Sequence, residues 1–209
     1  MNTQSWDEMY RGRPQVFSGE PNEVLVAEAA GLAPGEALDV GCGEGADAVW
    51  LARRGWRVTA VDVAETALRR GAAAGADVAG RVAWTRADLS TVGLPAGVFD
   101  LVSAQYFPLP HRPEHEALHR LLAAVAPGGT LLVAGHDPGD EGVDYGGYYR
   151  PDEIARLLGE EWTILVHESR PRNRPGPEGT HHTRDVVLRA VNSGGGGVPM
   201  TLLCGVKGS

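Results

Sequence analysis

The chain has 209 residues, of which 43% are hydrophobic and 22% are charged, and its formal net charge is −8 at pH 7. This length suits one well-buried α/β domain and is short for two. The negative charge disfavours nucleic acid as a substrate, because an acidic surface repels phosphate backbones.

The predicted elements begin with a polar arm over residues 1–20 and a helix from Pro21 to Gly31. Short apolar runs that end in glycine or aspartate then alternate with amphipathic stretches. The runs are ALDV (37–40), RVTAVD (57–62), VAWTRAD (82–88), FDLVSA (99–104) and TLLVAGHD (130–137). Such runs are typical of strands covered by helices on both faces, so they predict a Rossmann-like, doubly wound, mostly parallel α/β sheet.

Helices are predicted between these strands. One lies in ADAVWLARRG, after the first run, and another begins at Pro113 and ends at Pro127-Gly128-Gly129. The buried stripe of the second comprises Leu118, Leu121, Leu122 and Val125.

After the fifth strand the rhythm changes. A short helix over 151–158 precedes the run WTILVHES (162–169), and a loop leads directly to TRDVVLRAV (183–191). Two strands joined without a helix predict an antiparallel hairpin at the sheet edge, which brings the sheet to seven strands. The domain is predicted over 21–191, and the glycine-rich segment 192–209 is typical of a flexible linker or a non-native extension.

The most informative stretch is LDVGCGEG (38–45), which ends the first strand and opens the next helix. Ligands of open α/β sheets bind at this edge, and glycines let the backbone approach them closely. Gly41, Gly43 and Ala46 also satisfy the loose dinucleotide pattern GxGxxG/A, so NAD is an alternative ligand. Glu44 disfavours a pyrophosphate, whereas Asp39 and Glu44 suit a ligand with an ammonium and a sulfonium.

Two further acids follow strands. Asp62 ends the second strand about twenty residues beyond the loop, where a carboxylate accepts ribose hydroxyls; alternatively it caps the next helix. Asp88 follows the third strand, where it suits the adenine amino group, with the N–H of Leu89 donating to the ring; alternatively it forms a strand-end turn.

Together, LDVGCGEG, VTAVDV, the ADL pair and the FDLVSA and APGGTLLVAG segments resemble the class I S-adenosylmethionine-dependent methyltransferases over about residues 21–137. The resemblance implies a last strand that runs antiparallel and a cofactor held by the glycine loop, by the acid after the second strand and by the acid after the third. The implied cofactor-binding residues are Asp39, Gly41, Cys42, Gly43, Asp62, Val63, Asp88, Leu89 and Gln105.

A narrower resemblance is carried by WDEMYR…PN, the HHTRDVVLRA strand and the compact size. These features are similar to the tellurite-resistance and thiopurine methyltransferase group, which modifies chalcogen or thiol acceptors. The resemblance therefore implies methyl transfer to a small molecule. The alternatives are an NAD-dependent oxidoreductase and a protein that binds the cofactor without turnover.

Candidates for a proton acceptor are His111, His136 and Asp137, and Tyr10 is a candidate lid over the site. The histidines and Tyr10 also have an alternative without a role in the reaction: the histidines would be structural or exposed to solvent, and Tyr10 would anchor the arm on the sheet edge. Cys42 lies near a helix N-terminus, but no base accompanies it and we expect it to pack.

We predict no metal site, because His115 and His119 lack a third ligand and the adjacent His181 and His182 point to opposite faces of a strand. Cys42 and Cys204 form neither a disulfide framework nor a metal knuckle. The polar N-terminal segment is not a signal peptide, and no apolar run is long enough to cross a bilayer. We therefore expect a cytoplasmic protein with no membrane partner.

Overall fold

The computed structural model describes residues 3–89, 91–139, 146–173 and 182–194. Their helices are α1 (Thr3–Arg11), α2 (Glu23–Ala29), α3 (Ala46–Arg53), α4 (Glu65–Ala74), α5 (Glu116–Ala124) and α6 (Pro151–Leu157), with 3₁₀ turns at Ala76–Arg81 and Pro113–His115. The strands are β1 (Glu36–Val40), β2 (Arg57–Asp62), β3 (Val82–Arg86), β4 (Phe99–Gln105), β5 (Val125–His136), β6 (Trp162–Pro171) and β7 (Arg184–Asn192).

The seven strands form one sheet in the order β3-β2-β1-β4-β5-β7-β6. Strands β1 to β5 are parallel, and β7 runs antiparallel to both β5 and β6. The predicted doubly wound sheet and its antiparallel last strand are therefore confirmed. The hairpin is also found, with β7 inserted beside β5 and β6 at the edge.

Two apolar layers cover the sheet. Side chains alternate between them along each central strand: in β5, Leu131 and Val133 pack in one layer and Leu132 and Ala134 in the other. Burial on both faces explains the near-continuous apolar runs in the sequence.

The chain reverses direction across the sheet between β1 and β4, which are hydrogen-bonded neighbours. From β1 it winds outward through β2 and β3, and it then returns to begin β4 on the other side of β1. This reversal opens a crevice at the carboxyl ends of β1 and β4, the usual ligand position in such sheets.

Three predicted boundaries need correction. The arm contains helix α1, and α5 ends at Ala124, so Val125 belongs to β5 and not to a helical stripe. The helix ends early because its last carbonyls accept hydrogen bonds from the strand side: the N–H groups of Gly97 and Val98 donate to Ala123 and Ala124 at 2.7 and 3.1 Å.

The third correction concerns the C-terminal segment. Asn192 is the last residue of β7, where its side chain donates to the Val125 carbonyl at 3.2 Å, and residues 195–209 lie outside the described residues.

The connection from β3 to β4 also departs from the expected alternation. Its described residues, 87–89 and 91–98, form turns and extended chain. Gly93, Pro95 and Gly97 are turn formers that oppose a helix here. In the described part of the chain, no helix has the length and apolar character needed to span a membrane.

Candidate functional site

A cleft of about 1440 Å³ lies at the carboxyl ends of the central strands. The predicted cofactor-binding residues line it, as do the candidates Tyr10, His111 and His136; the former are Asp39, Gly41, Cys42, Gly43, Asp62, Val63, Asp88, Leu89 and Gln105. Asp137, the third candidate base, is not among the lining residues. The fold therefore brings together in one concave surface residues that the sequence placed at successive strand ends, in the arm and in a loop.

The glycine loop requires its glycines. Gly41, Gly43 and Gly45 have φ values of 67°, 52° and 80°, a left-handed region that disfavours other residues. A Cβ added at Gly41 would lie 2.4 Å from Cδ2 of Phe107. The loop is held on the sheet by the Val61 carbonyl, which accepts from the N–H groups of Gly41 at 2.8 Å and Cys42 at 3.0 Å.

Asp62 ties this loop to the next helix. Its Oδ2 accepts the N–H of Gly43 at 2.9 Å, and its Oδ1 accepts the N–H of Ala64 at 2.8 Å. The side chain is largely buried, and this burial raises the pKa of Asp62 despite those hydrogen bonds. The carboxylate is thus fixed in orientation at the floor of the cleft.

A buried polar group lies beside it under the loop. Asp39 is 2% exposed, and its Oδ2 is buried without a hydrogen-bond partner among the described residues. Burial, followed by repulsion from Asp47 and Asp62, raises the pKa of Asp39 well above its ordinary value. On the neighbouring strand β4, Oε1 of the buried Gln105 is also unpartnered within the described chain. Buried acceptors of this kind are costly unless a ligand completes them.

Asp47, on α3, was not predicted as a site residue. Its carboxylate accepts both the backbone N–H of Asn22 at 2.7 Å and its side-chain amide at 2.8 Å. Burial raises the pKa of Asp47 in spite of those bonds. This acid attaches the start of α2 to the rim of the cleft.

Glu44 lines the cleft and has a further role that the sequence did not suggest. Its Oε2 accepts the N–H groups of Val16 and Phe17 at 3.1 and 3.0 Å, and its Oε1 pairs with Arg70 at 2.8 Å. Arg70 also donates to the carbonyls of Tyr10 and Arg13, at 2.7 and 2.6 Å. The carboxylate therefore anchors the N-terminal arm, and its charge is balanced by an arginine.

The arm packs over the glycine loop through Tyr10. This side chain is 4% exposed and meets the ring of Phe17 edge-on, at 6.2 Å between centroids. Its hydroxyl oxygen lies 2.9 Å from the position that a Cβ on Gly43 would occupy. Burial and the charge of Asp62 raise the pKa of Tyr10, so the phenol stays protonated. In this structure, Tyr10 both anchors the arm and lines the cleft.

Asp88 and Leu89 lie at the turn after β3. The Asp88 carbonyl accepts the N–H groups of Thr91 and Val92, both at 2.9 Å, and Leu89 is buried. Asp88 therefore both forms a turn at the end of the strand and lines the cleft.

His111 lies on the rim of the cleft with two partners. Its Nε2 is 3.7 Å from Oε2 of Glu153, and its ring meets Tyr149 edge-on at 4.2 Å. The Tyr149 hydroxyl in turn lies 2.6 Å from Nδ1 of His115.

His115 precedes α5 with a φ of 56°, so it does not form a helical pair with His119, although their rings are 6.2 Å apart. The described residues contain no group of three or more metal-ligating side chains.

His136 belongs to a polar cluster that the sequence did not predict. Its ring stacks on Tyr106 at 4.7 Å and on His182 at 3.8 Å, while His181 lies outside the described residues. Nη1 of Arg172 donates to Asp185 at 2.9 Å and to the Tyr106 hydroxyl at 3.2 Å.

Burial is the main cause that raises the pKa values of both Tyr106 and Asp185. The cluster draws on four separate segments, and only the hairpin brings Arg172 and Asp185 beside β5, so no local motif reveals it.

Cys42 is a packing residue, as expected. Burial and the nearby Asp39 raise the pKa of its thiol well above the ordinary value, which keeps it protonated and weakly nucleophilic. Its side chain packs against the apolar layer that contains Leu25 and Leu51.

Residues 37–129 match a family model described as "Methyltransferase domain". An uncharacterized methyltransferase of Mycobacterium tuberculosis is 43% identical over 96 residues, which are 46% of this chain and 48% of that protein. The chain thus spans about half the length of that relative. A 2-heptyl-1-hydroxyquinolin-4(1H)-one methyltransferase of Mycobacteroides abscessus is 29% identical over 164 residues, covering 75% of this chain and 72% of that one.

Among solved structures, the chain superposes with a TM-score of 0.70 on a 1,6-didemethyltoxoflavin-N1-methyltransferase of Burkholderia thailandensis that holds its substrate and S-adenosylhomocysteine. The two are 20% identical, and the match covers 91% of this chain and 87% of that one, so it shows a shared fold. Residues 37–129, from β1 to the start of β5, are thus similar to a methyltransferase domain, and the superposition shows a shared Rossmann-like fold.

Proposed function

We propose that this protein transfers a methyl group from S-adenosylmethionine to a small-molecule acceptor bound in the cleft. The observation that carries this proposal is the pair of buried, unpartnered oxygens, Asp39 Oδ2 and Gln105 Oε1, on the neighbouring strands β1 and β4 that line the cleft. These acceptors suit a cationic, donor-bearing ligand and are poorly suited to a pyrophosphate.

The cleft residues fit this cofactor from one end to the other. The loop from Gly41 to Gly45 would hold the methionine moiety, because it lines the cleft and its left-handed glycines let the backbone approach a ligand closely. Asp62 and Val63 would hold the ribose, since carboxylate oxygens have lone pairs left after the two backbone bonds. Asp88 and Leu89 would hold the adenine at the far wall.

When bound, the cofactor supplies a methyl group on a sulfonium, which is transferred by direct displacement. The protein's contribution is to exclude water and hold the acceptor in line. The docked arm supports the first task, because Tyr10 and Phe17 cover the loop. His136 and His111 line the cleft as candidates to take a proton from a hydroxyl or ammonium acceptor, whereas thiolates and selenolates need none.

The acceptor is a small molecule in this proposal because the Mycobacteroides abscessus and Burkholderia thailandensis proteins are named for small organic substrates. Thiol, selenium or tellurium species are one acceptor class, suggested by the WDEMYR and HHTRDVVLRA segments. Hydroxylated heteroaromatic compounds are a second class, suggested by the hydroxyquinolone relative.

Calorimetric titration of the protein with S-adenosylmethionine, S-adenosylhomocysteine and NAD tests the cofactor. We expect both sulfur nucleosides to bind and NAD not to bind. Asp62→Ala should weaken their binding about tenfold or more, because it removes a charged acceptor of the ribose. Asp77→Ala is the matched control, since that carboxylate is exposed and pairs with Arg53 outside the cleft.

Activity is tested by S-adenosylhomocysteine release with panels of thiols, chalcogen anions and hydroxylated heteroaromatics. Binding of NAD alone would contradict the methyltransferase proposal and favour an oxidoreductase. Tight cofactor binding with no methylated acceptor in any panel would favour a cofactor-binding protein without turnover.

A further inference from the structure

Acidic and basic groups both line the cleft. Three buried acids, Asp39, Asp47 and Asp62, surround the glycine loop. The cleft is also lined by Arg172, whose side chain is 16% exposed and pairs with Asp185. In the proposed function the acids around the loop face the cationic cofactor, and the guanidinium is a donor group that the cofactor does not require.

Arg172 is held so that part of its guanidinium stays unused. The side-chain hydrogen bonds of Arg172 to described residues all leave from Nη1, toward Asp185, the Tyr106 hydroxyl and Nδ1 of His136, the last at 3.5 Å. Nε is buried, with no partner in the described chain. The donors of Nε and Nη2 form the edge of a guanidinium that binds planar oxyanions side by side.

The cleft that Arg172 lines also has aromatic and proline side chains on its wall: Tyr106, Phe107, Pro108, Pro110, His136 and Tyr148. Tyr106, His136 and His182 form a stack with centroid spacings of 4.7 and 3.8 Å. Aromatic walls favour planar organic ligands and offer few partners to a strongly hydrated inorganic anion.

We infer that Arg172 determines acceptor specificity by binding the oxyanion or thiolate of a planar aromatic acceptor at its Nε–Nη2 edge. This inference rests on the proposed function and narrows its acceptor class. The anchoring of Nη1 by Asp185 and Tyr106 fixes the orientation of the edge, which is how a bidentate site gains selectivity.

An anionic acceptor simplifies the chemistry of transfer. A lone pair on its oxygen or sulfur forms the new bond to the methyl carbon while the carbon–sulfur bond breaks and its electron pair returns to sulfur. The products are the methyl ether or thioether and neutral S-adenosylhomocysteine. No proton leaves during this step, so the stacked His136 need not act as a base.

Other charged and titratable groups also affect an anion bound there. Asp185 lies in β7 and His182 just before that strand, while Tyr106 follows β4 and His136 ends β5. Two acids come from the helices: Glu23 from α2 and Asp47 from α3. Burial raises the pKa of Asp185, which moderates the repulsion from that carboxyl, and Tyr106 remains a neutral phenol.

The test uses 4-nitrophenol, which absorbs visible light only as the anion. Its ionisation is titrated spectrophotometrically while bound to the protein, with and without saturating S-adenosylhomocysteine. We expect the bound probe to ionise at a pH about one unit lower than in water, a tenfold shift in its ionisation equilibrium. Arg172→Met should abolish the shift, and Arg172→Lys should keep part of it, because an ammonium supplies charge without the bidentate edge.

Arg170→Met is the matched control, because Arg170 pairs with Glu28 and does not line the cleft, and Glu28 retains Arg189. An equal shift in the Arg172→Met variant, or no binding of the probe, would overturn the inference. If Arg172→Met fails to fold by circular dichroism, the comparison of Arg172→Lys with the wild type decides the matter. Failure of S-adenosylhomocysteine to bind would instead count against the proposed function, since the titration without it still reports on Arg172.

Discussion

Replacing Arg70 with methionine should release the N-terminal arm from the cleft. Arg70, on α4, makes three charge-assisted hydrogen bonds, to Glu44 Oε1 at 2.8 Å and to the carbonyls of Tyr10 and Arg13 at 2.7 and 2.6 Å. The substitution removes all three and leaves Glu44 with only the two arm N–H groups.

The magnitude follows from the number and exposure of these bonds. A hydrogen bond to a charged group contributes about 1.5–3 kcal/mol, but contributions within one network are not additive. The Arg70 side chain is 27% exposed, so solvent screening reduces the total further. We expect the arm to dock less favourably by about 2–3 kcal/mol, or roughly 30- to 160-fold in its docking equilibrium.

Amide hydrogen exchange measured by mass spectrometry checks this expectation. The N–H groups of Val16 and Phe17, which donate to Glu44, should exchange faster in Arg70→Met by about that factor. Arg69→Met is the control, because Arg69 is the exposed neighbour on the same helix and loses the same charge. Equal protection of the arm in the two variants would refute the reasoning, since the arm would then be held by apolar packing alone.

Three further outcomes are expected. Asp39→Asn should raise the melting temperature at pH 8, because burial raises the pKa of Asp39 and the folded protein therefore loses stability as rising pH ionises this carboxyl. The difference in melting temperature between the variant and the wild type should shrink as the pH falls toward 3.8, the ordinary pKa of an aspartate, and a pH-independent difference would contradict the prediction. Gly41→Ala should lower the free energy of unfolding by about 1–2 kcal/mol in urea titrations from its left-handed backbone alone, with more from the clash with Phe107, whereas Gly31→Ala, which meets no atom within 4 Å, should change it little. Cys42 should react with iodoacetamide more slowly than glutathione does at pH 8, as followed by mass spectrometry, because burial raises its thiol pKa; an equal rate would show that the thiol is accessible and ionised.

The sequence by itself determined the parallel sheet and the location of the cleft. Strands that are buried on both faces appear in the sequence as continuous apolar runs, so their positions could be predicted. Strand β2, for example, was predicted with its observed bounds, Arg57–Asp62. The carboxyl ends of parallel strands meet at one edge, so Asp39, Asp62 and Gln105 were expected to share a surface, and they do. The strand positions follow from local sequence patterns, and the shared edge follows from the small number of topologies that such a sheet can adopt.

Only the tertiary structure decided what each polar group contacts. Glu44 was interpreted as a ligand-facing acid from the sequence, which did not reveal that the folded arm supplies two N–H donors to it and that α4 supplies Arg70. The end of α5 likewise depended on the N–H groups of Gly97 and Val98, which precede β4. The Arg172–Asp185–Tyr106 cluster joins residues up to 79 positions apart, and its partners are neighbours only because β7 inserts beside β5. Long-range hydrogen bonds leave no periodic trace in the chain, and this is the physical reason why the strands could be predicted and the contacts of these side chains could not.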